Sequence, residues 1–232
     1  MPQILGKEYE IFSGNTFYRV LMPQLIKSGL VPMNIADIMG ARLGSVKCNQ
    51  PEQKEFWLDN YFNTADGVAF YKGKIKIVHD SQALREIQPN MELMCGALIL
   101  TPEKYKILEG EEFSRDYLKK IGINKWLNKS EIKLHPVWRA LARNNHLLSE
   151  YADLIFAEVK QRYNGNNAIA MGIYLGCEQE KPTIKDWFVD QLCWRSDAGG
   201  GVCFPSSGYI RLVGIHSKCS SQKENLDEKL IV

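Results

Sequence analysis

Val68-Ala69-Phe70-Tyr71-Lys72-Gly73-Lys74-Ile75-Lys76-Ile77-Val78 is the stretch on which the fold class turns. Its β-branched and aromatic residues flank Lys72-Gly73, the pattern of two strands joined by a tight turn. Pairing across that turn puts Val68, Phe70, Ile75 and Ile77 on one face and Ala69, Tyr71, Lys74 and Lys76 on the other. A hairpin brings antiparallel strands, and the segments around it do not alternate strictly between strand and helix.

Upstream, the first sixty residues read as short helices. Asn34 caps one that runs through Ile35, Ile38 and Met39 and stops at Gly44; Pro51 opens another that carries Phe56, Trp57, Leu58 and Tyr61. Downstream, a short helix over 81–87 precedes a buried strand over 92–100. Thr101-Pro102-Glu103 then starts a helix, and 111–120 continues helically after the break at Gly110. Pro136 disfavours a helical residue before it, so the next helix begins at about His135. Asn144-Asn145 is a point of interruption before a longer helix over 147–163. Residues 168–175 read as a strand, and Thr183-Ile184-Lys185-Asp186 reads as the capping box of a helix carrying Trp187, Phe188, Leu192 and Trp194. The glycine-rich Asp197–Gly201 then leads from helix into strand, the wrong polarity for a phosphate cradle. The last strand is 209–215.

These elements predict an α+β fold with an irregular order of strands and helices and a mixed or antiparallel sheet. One domain over 1–216 is expected, its helix-rich residues 1–63 being a candidate helical subdomain, with a polar tail over 217–232.

Composition excludes several classes. Hydrophobic residues make up 45% and charged residues 24% of 232 residues, ordinary for a globular chain with a sizeable core. No apolar run approaches a membrane span, the N-terminus lacks the pattern of a signal peptide, and the six cysteines form no CxxC pair. A cytoplasmic protein with reduced thiols, no membrane partner, no metal and no cofactor is expected; the oligomeric state is not legible.

The charge distribution says more than the net charge of +2. Residues 115–143 hold eight basic groups against Asp116 and Glu131, while the remainder of the chain is acidic overall. At about 100° per residue, His135, Arg139, Arg143 and His146 fall on one face of a single helix, opposite Val137, Trp138 and Leu141. Phosphate binding needs such cations, and base stacking needs aromatic planes like Trp126 and Tyr117 among them. The expected partner is therefore nucleic acid or another polyanion. Its contacts would come from Lys119, Lys120, Lys125, Trp126, Lys129, Lys133, Arg139 and Arg143, joined by Lys74 and Lys76 from the hairpin.

Two alternatives stand beside this reading. Glu158 falls inside the apolar arc of the 147–163 helix, where a carboxylate has either a functional role or a partner, and Arg162 is placed as that partner at i+4. With His135 or His146 it could serve a hydrolase or nuclease acting on an anionic substrate. No GxSxG, HExxH or Walker spacing accompanies it. The other alternative is a non-catalytic interaction or assembly protein.

Overall fold

The computed structural model describes residues 2–4, 6–48, 50–163, 169–176, 180–192, 196–200 and 210–216. In chain order its elements are β1 (Gln3–Ile4), β2 (Lys7–Gly14), α1 (Tyr18–Lys27), β3 (Val31–Pro32), α2 (Ile35–Lys47), α3 (Pro51–Leu58), β4 (Phe62–Tyr71), β5 (Lys74–Val78), α4 (Gln82–Arg85), β6 (Leu93–Met94) and β7 (Ala97–Ile99). There follow α5 (Pro102–Ile107), β8 (Glu111–Ser114), α6 (Arg115–Ile121), β9 (Lys125–Asn128), α7 (Lys129–Leu134), α8 (Pro136–Ala142), α9 (Asn145–Tyr163), β10 (Ile169–Leu175), β11 (Thr183–Val189), β12 (Ser196–Gly200) and β13 (Ile210–Ile215). This is the α+β class the hairpin pointed to. The larger sheet runs β8-β5-β4-β11-β12-β10-β9 and is mixed, since β10 and β12 are parallel while the other neighbours are antiparallel. A second sheet runs β1-β2-β13-β3.

The hairpin forms in the expected register, with Val68 opposite Ile77, Phe70 opposite Ile75 and Tyr71 opposite Lys74. Lys72 and Gly73 take φ of 48° and 74°, as a two-residue turn between right-twisted strands requires. Val68, Phe70, Ile75 and Ile77 enter the larger core with Ile35, Trp57, Trp138 and Ile155. Ala69, Val78 and Ile184 enter a second core under α1, α4 and α5, with Leu25, Leu84 and Tyr105. A sheet covered on both faces in this way leaves β4 buried along nearly its whole length.

Several local expectations are corrected. Residues 7–14 are strand, because β2 pairs with β13 some two hundred residues away, a partner no local pattern reveals. Helix α2 runs through Gly44 to Lys47, while its Asn34–Asp37 capping box forms as the cap residue implied. The strand read over 92–100 is a hairpin, β6 and β7, turned by Cys95 and Gly96 at φ of 50° and 76°. Residues 111–114 form β8 on the edge of β5, and Ser114 then caps α6. The segment read as a capped helix from Thr183 is strand β11: pairing on both sides, with β4 and with β7 and β12, outweighs the capping pattern. Ser196–Gly200 is strand as well. The polar tail over 217–232 lies outside the described residues.

A β-bulge sits in the middle of the sheet. Asp186 pairs with Gly67 but Phe188 pairs with Asn63, so Thr64, Ala65 and Asp66 together oppose Trp187. Thr64 Oγ1 donates to the Trp187 carbonyl at 2.9 Å, and the Trp187 indole N–H donates to the Gly67 carbonyl at 3.1 Å. The bulge turns Asp66 out of the ladder, where its Oδ2 accepts the backbone N–H of Ile35 at 2.9 Å.

Candidate binding face

The basic residues do not act as one stripe. Helix α8 ends at Ala142, Arg143 takes the left-handed conformation at φ 58°, and α9 starts at Asn145, so His135, Arg139, Arg143 and His146 lie on different elements. The guanidinium of Arg143 spans Asp66 at 2.6 Å and Asp80 at 2.7 Å. Burial would raise the Asp66 carboxyl, but His79 at 3.9 Å, Arg143 and the backbone N–H groups of Ile35 and Asp80 outweigh it and hold it below the usual carboxylate range. Arg139 donates to the Lys133 carbonyl, and Lys129 and Lys133 share Asp153 at 3.0 and 2.9 Å.

On the hairpin, Lys74 pairs with Glu112 at 2.7 Å. Lys76, expected on a displayed lysine face, is buried, because α5 covers that face. Its ammonium donates to the carbonyls of Tyr105 and Leu108 at 3.1 Å each, at the end of α5 where carbonyls lack helical partners. Lys119, Lys120, Lys125 and Trp126 stay exposed on α6 and β9, Lys119 lying 3.6 Å from the solvent-facing Asp116.

Glu158 has the Arg162 partner expected of it, at 3.3 Å, and a nearer one in Lys54 of α3 at 2.7 Å. Arg162 also pairs with Asp59. His146 is exposed with Glu150 at 3.8 Å. His135 is buried, both ring nitrogens lack a hydrogen-bond partner, and burial together with nearby Lys125 depresses its pKa to about 4. Neither histidine is joined to Glu158 by a hydrogen bond or ion pair. Each of the three has its own surroundings.

A different group does converge. Tyr174 of β10 pairs with Gly199 of β12, Gly199 pairs with Phe188 of β11, and Phe188 pairs with Asn63 of β4. Paired residues in a sheet point to the same face, so these four form a transverse row. Trp126 of β9 lies on that face too, opposite Gly172, which is two residues before Tyr174. Their other-face neighbours Ile173, Trp187 and Val189 are buried in the main core. On the near face Trp126 is 38% exposed, and Tyr174 and Phe188 are half-buried, so among the described residues the layer that covers the β4 end of the sheet does not close over this end. Glycine puts no side chain between Tyr174 and Phe188, which stand two strand spacings apart, about 9.6 Å. That separation is the width of a slot for one flat group. Asn63 ends the row, and its amide N–H donates to Asp186 Oδ2 at 2.8 Å. Burial raises the Asp186 carboxyl, against the lowering effect of that bond.

Sequence reading missed this row. The strand over 168–175 is legible, but Phe188 reads as part of a helix, and a row joining four strands has no sequence signature.

No protein-family model and no curated protein matches the chain. Among solved structures, the chain is similar to one described as "Accommodation of massive sequence variation in Nanoarchaeota by the C-type lectin fold". The TM-score is 0.69 at 16% identity, over 92% of this chain and 100% of that one. At that identity the likeness is one of architecture: the α+β fold described above is similar to a C-type lectin fold over nearly its whole length.

Proposed function

We propose that this chain is a non-catalytic recognition module that binds a protein or peptide ligand through the Tyr174–Gly199–Phe188 row. The observation that carries this reading is the row itself: the aromatic residues Tyr174 and Phe188, half-buried, on either side of a glycine in the strand between them. Aromatic residues are the usual anchors of protein interfaces, and a slot one ring wide takes an aromatic or flat side chain of a partner. The row also lacks basic groups, which suits a neutral ligand better than a polyanion. The charged residues first suspected of chemistry are engaged in pairs that hold elements together, as Glu158 is by Lys54 and Arg162. The Nanoarchaeota protein adds that a C-type lectin fold tolerates massive sequence variation, which suits a rigid core carrying an adaptable binding surface.

Selection of a displayed random peptide library on the immobilised protein tests the reading. Phe188→Ala and Tyr174→Ala serve as counter-targets, each checked for an unchanged melting profile. Enriched aromatic-containing peptides should bind the parent and lose about 2 kcal/mol, some thirtyfold in Kd, on either variant. Peptides that bind parent and variants equally would remove the row from recognition.

A further inference from the structure

The slot does not use every ring on its face. Trp126 stands on β9, the outer strand of the sheet, opposite Gly172, and is 38% exposed. Lys125 before it and Leu127 after it point to the other face, Leu127 into the main core. Trp126 therefore shares its face with Tyr174 and Phe188. Among the described residues, none of these three rings belongs to either core or is among the side chains packed against one. Other partly covered rings are: Phe56 and Phe113 pack on the main core, and Phe12 and Tyr71 on the core under α1.

Strand pairing fixes how far apart the rings stand. Tyr174 is two strand spacings from Phe188, and Trp126 is one strand further out and two residues along. From Phe188 to Trp126 is then about 16 Å, more than one side chain spans and about the length of five residues of extended chain. From Gly199, the floor of the slot, to Trp126 is two strand spacings across and two residues along, about 12 Å. In an extended segment every second side chain faces the same way, so residues i, i+2 and i+4 meet the sheet together, the outer two about 13 Å apart. Tyr174 stands between the slot and Trp126, one strand from Gly199. Residue i+2 of such a segment passes beside that ring.

We infer that the ligand of this face is an extended peptide segment with aromatic side chains at positions i and i+4 and a small residue at i+2. One ring enters the slot between Tyr174 and Phe188, the other packs on Trp126, and glycine, alanine or serine at i+2 clears Tyr174. This ligand rests on the reading of the row as a peptide-binding site; Trp126 is the residue added to that site, and it sets the spacing of the two rings.

The test is equilibrium surface plasmon resonance of the immobilised protein with serine–glycine heptapeptides. They carry one phenylalanine, or two separated by one, two or three residues, the last with glycine midway between the rings. The three-residue spacing should bind about tenfold more tightly than the shorter spacings and than the single phenylalanine. Isoleucine in place of the central glycine, bulky but favouring extended chain, should abolish that gain. Phe188→Ala should weaken every peptide. Trp126→Ala should remove the gain and leave the single-phenylalanine peptide unchanged. Trp126→Phe, which keeps a ring on the edge strand, should retain most of the gain with an unchanged melting profile. Equal affinity at all spacings, or a Trp126→Ala variant that keeps the gain, overturns the inference. If the single-phenylalanine peptide then still binds and still depends on Phe188, the slot stands without Trp126. If no peptide binds the parent, both readings fall.

Discussion

His135 shows how a residue's role follows from its surroundings rather than its type. It precedes Pro136 at the start of α8, is 3% exposed, and has no hydrogen-bond partner at either ring nitrogen. A neutral imidazole there behaves as an apolar filler, and protonation would place an unpaired charge in the core near Lys125. Its pKa falls from an ordinary 6.5 to about 4, so the unfolded chain takes up the proton before the folded one does. Stability is then fully present above pH 6.5 and falls as pH drops from 6.5 towards 4. At pH 5 the loss amounts to about 2 kcal/mol. His135→Leu, of similar volume, should cost little at pH 7.5 and should abolish this part of the pH dependence. Chemical denaturation at several pH values checks it, and a variant whose acid sensitivity matches the parent's would locate the sensitivity elsewhere.

At the scale of elements, the legible features were those whose partners are near in sequence. The Lys72-Gly73 turn, the Asn34 and Thr101 caps and the Glu158–Arg162 pair each involve residues a few positions apart, and local chemistry announces them. The illegible ones depend on distant strands. Thr183–Val189 carries a genuine capping pattern, yet it is a central strand buried along most of its length, where alternation is weak and burial decides. The basic stripe failed for a related reason: Arg143 leaves the helix to reach Asp66, which the β4 bulge presents from another part of the fold. Glu158 was half legible, since nothing local pointed to Lys54. A carboxylate with 7% side-chain exposure between Lys54 and Arg162 ties α3 to α9. Glu158→Gln should therefore lower stability by about 2 kcal/mol. A double-mutant cycle with Lys54→Met should return a coupling of about 1 kcal/mol. Additive effects in that cycle would mean the two groups merely coexist at the surface of α9.

The molecule as a whole is closed by its last described strand. β13 lies between β2 and β3, pairing Ile210 to Ile215 with Gly14 to Tyr9, and its Val213 carbonyl accepts the Met33 N–H at 2.9 Å. It buries Leu212, Val213 and Ile215, the first in the core under α1 and the other two in the main core, so one strand joins both hydrophobic clusters. Burial of three such side chains is worth about 5 to 9 kcal/mol, and removal of the strand would also leave β2 and β3 without their ladder partner. Stabilities of domains this size are about 5 to 15 kcal/mol, so the loss is comparable with the whole. A chain ending at residue 209 should consequently lack a cooperative thermal transition and bind a dye for exposed apolar surface. Leu212→Ala in the full chain should retain the transition, at a cost of about 2 to 5 kcal/mol. A cooperative melt from the truncated chain close to that of the parent would show that the larger sheet and its helices are stable alone. In that case the Tyr174–Gly199–Phe188 row, carried by the larger sheet, should survive truncation.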